Sequence, residues 1–135
     1  MALRYLLDTN ICIYFRQGRL KSAAAHLERL EAGEIGISVV TLGELCFGVV
    51  KSKDIVAATV GLRWVLSIAP AHSLPTDAGR IYGELRAGLE KDGAPIGSND
   101  LWIAAHALAS GLTLVTNNVR EFRRVPKLKI ENWAK

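Results

Sequence analysis

A chain of 135 residues, half of them hydrophobic and 22% charged, has the length and apolar content for one domain with a sizeable core, and two would be cramped. No stretch of about 20 consecutive apolar residues that could cross a bilayer is present, and the start carries no basic segment leading into a long apolar stretch, so a soluble, cytoplasmic protein is expected, with no membrane. The net charge of +4 is concentrated in residues 120–135, which include Arg120, Arg123, Arg124 and Lys127, and this segment is either where a polyanion docks or a solvated basic surface.

The elements alternate between strand and helix. "LRYLL" (3–7) reads as a buried strand and "NICIYF" as a short helix. A second helix is expected over 20–32, where Leu20, Ala23, Ala24, Leu27 and Leu30 share a face and Gly33 can end it. "IGISVV" (35–40) is the next strand. Helices follow near 41–51 and 54–66, the latter with Ile55, Leu62 and Leu66 in one row and Val56 and Val60 beside it. "SIAPA" suits a short strand. Pro75 suits the first turn of a helix whose stripe of Ile81, Leu85 and Leu89 runs to Gly93 despite three internal glycines. "APIG" is a loop, "SNDLWIAAHALASG" a helix with Leu101, Ala104, Ala105 and Leu108 inward, and "LTLVT" and "LKI" are the last strands. Cys12 and Cys46 sit in apolar helical patterns without C-x-x-C spacing and read as buried free thiols.

The order β-α-α-β-α-α-β-α-α-β-α-β implies an α/β fold: a three-layer α/β/α sandwich around a mostly parallel central sheet. Ligands of such sheets lie at the carboxyl ends of the strands. Asp8 ends the first strand, Glu44 lies about a turn beyond the second, Asp100 stands in the first turn of the helix feeding the "LTLVT" strand, and Asn117 and Asn118 follow that strand.

Each position has a plain structural reading. Asp8 or Thr9 could cap the first helix, and Thr41, Glu44 and Gly48 could form a solvent face, with Gly48 leaving space beside the carboxylate. Asp100 could serve the helix dipole, and the asparagines a turn. Together they suggest more, because three carboxylates at one edge repel unless a divalent cation compensates them, and oxygen ligands suit Mg²⁺ or Mn²⁺. His26, His72 and His106 have no zinc-ligand spacing, and His106, about 240° round the helix from Asp100, reads as structural. No G-x-S-x-G, phosphate-binding lysine loop or G-x-G-x-x-G motif is present.

Three blocks, "LLDTNICIYF", "ISVVTLGELCFGV" and "PIGSNDLWIAAHALASGLTLVTNNVREFRRVPKLKIENW", resemble PIN-domain ribonucleases and, more narrowly, the VapC toxins of toxin-antitoxin systems. The resemblance runs from about residue 3 to 133 and implies a single PIN-like domain over residues 1–135. Carried over by position, the family's acids are Asp8, Glu44 and Asp100, with Asp8 and Asp100 holding the metal. A frequent fourth acid is replaced by Asn118, and Glu121 is a candidate substitute. Asn10 and Thr116 match polar positions that steady the acids.

The resemblance implies Mg²⁺-dependent hydrolysis of RNA phosphodiesters, with a tRNA, in the initiator-tRNA-cleaving branch, as the substrate class. It also implies a homodimer and a VapB-type antitoxin that inserts a peptide near the acids. Trp64, Leu66 and the apolar face of residues 41–66 suit a subunit contact or core packing equally. Because Asn118 departs from the fullest pattern, a non-catalytic RNA- or protein-binding module of the same fold stays open as the alternative.

Overall fold

A computed structural model of the chain describes residues 2–18 and 21–134, the side chains at 21–24 excepted. Its sheet is built on β1 (Tyr5–Leu7), flanked by β2 (Ile35–Ser38) and β4 (Thr113–Val115), with β3 (Ala71–His72) and β5 (Ile130–Glu131) at the edges. All four pairings are parallel, and Tyr5 and Leu7 stand opposite Ile35 and Ile37 on one side and Thr113 and Val115 on the other. Every strand therefore ends at the same edge.

Alternation along the strands divides the core in two. Leu7, Ile35, Ile37 and Val115 join Ile11, Phe15, Leu45 and Val65 from α1 (Thr9–Arg16), α3 (Val39–Val50) and α4 (Ile55–Ile68), with Leu27 of α2 (Lys21–Glu28) against them. Leu6 and Leu114 join Leu89, Leu101, Ile103 and Phe122 from α5 (Asp77–Lys91), α6 (Ser98–Ser110) and α7 (Val119–Phe122). This is the three-layer α/β/α arrangement expected from the order of elements.

Several boundaries move for identifiable reasons. The second strand stops at Ser38 rather than residue 40, because the Ser38 hydroxyl accepts from the Val40 amide and starts α3. α4 runs through Ile68, and Ala69 still donates to the Val65 carbonyl; Pro70 has no amide hydrogen, so the strand begins only at Ala71. Pro75 lies ahead of α5, which begins at Asp77.

The row assigned to the fourth helix is also corrected. Val65 is buried, with Leu62 and Leu66 beside the core, whereas Ile55, Val56, Val60 and Trp64 are exposed. Cys12 is buried as expected but Cys46 is exposed. Leu20 and the side chains of Ala23 and Ala24 lie outside the described residues. Among those described, no helix is long and apolar enough to cross a membrane.

Candidate active site

The first acid belongs to a turn before it belongs to a site. β1 ends at Leu7, and Asp8 caps α1 by accepting the Ile11 amide at 2.9 Å on Oδ1. Its Oδ2 accepts from the Thr116 hydroxyl, just past β4, and the Asp8 amide donates to the Val115 carbonyl at 3.0 Å. The capping and functional readings are thus compatible, because the bonds that cap the helix also fix a buried carboxylate at the sheet edge. Thr9 is not the cap. Its hydroxyl donates to Glu44 Oε1 at 2.6 Å and lies 3.3 Å from the hydroxyl of buried Thr41.

Asp100 stands in the first turn of α6, whose capping position, Gly97, offers no side chain. Burial raises its carboxyl to about 6, helped by the charges of Asp8, Glu121 and Glu44 and by a hydrogen bond with Glu121 that favours the protonated acid. Asp8 also rises to about 6, again mainly through burial. The Thr116 and Ile11 hydrogen bonds oppose that rise and the Glu44 charge adds to it. The departure at residue 118 is answered locally: the Asn118 amide group donates to Glu121 at 3.2 Å, and its backbone N–H donates to Thr116 Oγ1 at 2.9 Å. Glu121 therefore faces Asp100, held by Asn118.

Four carboxylates consequently share one edge, and the ion pairs among the described residues lie elsewhere. Hard oxygen donors with no balancing lysine or arginine suit an oxygen-seeking divalent cation. No three His, Cys, Asp or Glu side chains among the described residues are grouped as a ready cage.

A groove of about 680 Å³ opens beside Glu44, lined by Thr9, Asn10, Ile13, Val39, Val40, Gly43, Phe47 and Asn99. Asn10 is exposed there and makes no hydrogen bond to an acid among the described residues, contrary to the steadying role expected of it. Gly43 lines the groove beside the carboxylate, Gly48 also has open space where a Cβ would stand, and Thr41 is buried rather than on a solvent face. Thr9, Thr41 and Asn99 were not singled out for the site. Asn99 sits in the same polar "SND" run as Asp100, but the Thr9–Glu44 bond spans 35 residues and has no local signature.

The basic residues separate. Arg120 and Arg123 line a groove with Asn117 and Asn132, whereas Arg124 donates to the Pro95 carbonyl at 3.1 Å and Lys127 lines another groove with Arg80 and Glu84. The histidines stay out of the acid cluster: His106 is buried with Nδ1 unpartnered, His72 lies against Gly36, and His26 stacks on Trp133.

Residues 5–128 match the PIN domain family. The chain is 45% identical to ribonuclease VapC2 of Rickettsia felis, over 97% of this chain and 98% of that protein. It is 36% identical to the tRNA(fMet)-specific endonuclease VapC of Salmonella typhimurium, over 98% and 99%. Among solved structures, VapBC2 of Rickettsia felis bound to a promoter DNA fragment contains a chain that superposes with a TM-score of 0.90 at 43% identity, covering 98% of this chain and 99% of that one.

Proposed function

The chain belongs to the PIN-domain family, among its VapC ribonucleases, and from that premise we propose that it is the endoribonuclease toxin of a VapBC-type module, cutting RNA with Mg²⁺ or Mn²⁺ at Asp8 and Asp100. One observation carries the reading. Asp8 and Asp100, from different ends of the chain, meet Glu44 and Glu121 at one sheet edge, and both hold their protons to about pH 6. Such an arrangement is costly without a cation, and PIN-domain ribonucleases are generally divalent-metal dependent.

When bound, the ion supplies charge neutralisation at the phosphate and lowers the pKa of a water. The residues supply the rest. Thr116 and the Ile11 amide hold Asp8 in one orientation, and Asn118 holds Glu121 against Asp100. Thr9 fixes one oxygen of Glu44, whose other oxygen makes no hydrogen bond among the described residues and is free to orient a water. Attack by that water at phosphorus breaks the P–O3′ bond, the 3′-oxygen takes up a proton, and the products end in a 5′-phosphate and a 3′-hydroxyl.

The Salmonella relative's name supports an initiator tRNA as the target. The VapBC structures support a VapB-type antitoxin as the partner. The exposed apolar side of α4 supports a homodimer. Glu121 beside Asp100 supports a catalytic reading over a non-catalytic module.

Asp8→Asn is expected to abolish cleavage of purified tRNA while leaving the circular dichroism spectrum unchanged. Chelation with EDTA should stop the parent enzyme, and added Mg²⁺ should restore it. Full activity in EDTA overturns the metal-dependent reading.

A further inference from the structure

The open groove beyond Asn118 has no part in the chemistry described above. It measures about 640 Å³, within the range of about 300–1,000 Å³ that holds a small-molecule-sized group. Its rim carries Arg120 and Arg123, both exposed and neither in a hydrogen bond or ion pair among the described residues. Its floor is the half-buried aliphatic pair Leu128 and Ile130, and the amides of Asn117 and Asn132 flank it. The lining starts one residue past Thr116, which binds Asp8, and Arg120 adjoins Glu121, which faces Asp100.

We propose that this groove is a subsite for one unpaired nucleotide flanking the scissile phosphate, with Arg120 and Arg123 on its phosphate and its base between Leu128, Ile130 and the two asparagine amides. The inference rests on the ribonuclease reading and adds a requirement to it. Two free guanidiniums match a phosphodiester, an aliphatic floor takes the face of a base, and Asn117 presents a donor and an acceptor to a base edge while Asn132, whose Oδ1 already accepts the Ala134 amide at 2.9 Å, adds its Nδ2 donor. A paired base has its Watson–Crick edge occupied and its faces stacked, so it satisfies neither floor nor amides. The groove thereby selects a strand unpaired next to the cut. It also divides the basic segment by role, since Arg124 is spent on the Pro95 carbonyl and Lys127 stands in another groove.

The test measures binding of a fluorescent single-stranded RNA of about eight nucleotides, and of the same sequence as a duplex, to full-length protein carrying Asp8→Asn so that the RNA stays intact. Adding Arg120→Ala and Arg123→Ala is expected to weaken single-strand binding about tenfold or more and to reduce the slope of log affinity against log salt by about one to one and a half. Adding Lys53→Ala and Lys91→Ala instead, which removes the same charge elsewhere, is expected to weaken binding less than threefold. The parent is expected to prefer the single strand to the duplex.

Equal losses in the two double variants, or equal affinity for single strand and duplex, overturn the subsite while leaving the ribonuclease reading intact. Loss of antitoxin binding by the arginine variant with RNA affinity unchanged makes the groove a protein site and also overturns it. Failure of the parent to bind or cut any RNA overturns both readings.

Discussion

Asp8 caps a helix, accepts a threonine hydroxyl from the neighbouring strand and is buried beside other acids, and these roles pull its proton affinity in opposite directions. Burial wins, raising the carboxyl from 3.8 to about 6. The folded metal-free protein therefore binds this proton more tightly than the unfolded chain does. The resulting stabilisation is fully present below the ordinary value near 4 and is lost as pH rises through about 6. Asp100, also raised to about 6, acts in the same sense. A cation competes with both protons, so Mg²⁺ is expected to raise the melting temperature near pH 8 and to have little effect near pH 5. Equal stabilisation at both values, measured by thermal unfolding, contradicts metal binding by these acids. Thr116→Val, which removes a bond favouring the ionised form, is expected to move the acid limb of the cleavage profile to higher pH and to lower stability by about 1–3 kcal/mol. Asp8 and Asp100 could be singled out in the sequence because each stands beside an element end whose position periodicity reveals, and Glu44 because it follows the second strand by little more than a helical turn. The reach of Glu121 could not be read there, since it depends on how Asn118 turns across a four-residue helix.

The helices deliver their acids because their ends are fixed, and two glycines show how. Gly111 follows α6 with φ +65°, the left-handed conformation that ends a helix at low cost only in glycine. Gly111→Ala has open space around the new methyl group, so its expected cost of about 1–2 kcal/mol is purely conformational. Gly36 in β2 is a different case. A Cβ there would lie 2.6 Å from the His72 ring and 3.0 Å from the Pro70 carbonyl, which accepts the Ile37 amide between β2 and β3. Gly36→Ala is expected to cost about 1–3 kcal/mol through overpacking, read as a lower midpoint in urea, with cleavage retained in the remaining folded protein. The order of elements was readable because apolar runs and Gly111 punctuate it, although the second helix, expected to run to residue 32 and be ended by Gly33, stops at Glu28. The exact ends were less so, because a serine hydroxyl reaching an amide or a missing proline N–H decides them within one or two residues.

At the scale of the whole molecule, a feature left uncovered by the described residues is the outer side of α4, where Val56 is 76% and Val60 63% exposed, with Ile55 and Trp64 nearby. Periodicity alone assigned part of this row to the core, because an apolar stripe has the same spacing whether its own sheet or another subunit covers it. The fold settles the inner side, where Val65, Leu62 and Leu66 already meet the sheet, so the outer residues are surplus to one copy's core. A contiguous apolar surface on a helix repeats in a second copy as its own complement, which suits a two-fold contact. The parent protein is expected to sediment as a dimer. Val56→Glu with Val60→Glu, one turn apart on an exposed helix face, is expected to give a monomer whose folding stability differs from that of the parent monomer by about 0.5 kcal/mol or less per site. Because neither valine lines the groove beside Glu44, the monomer should keep its response to Mg²⁺. A double variant that sediments as the parent does removes this face from the subunit contact and returns the exposed stripe to some other partner.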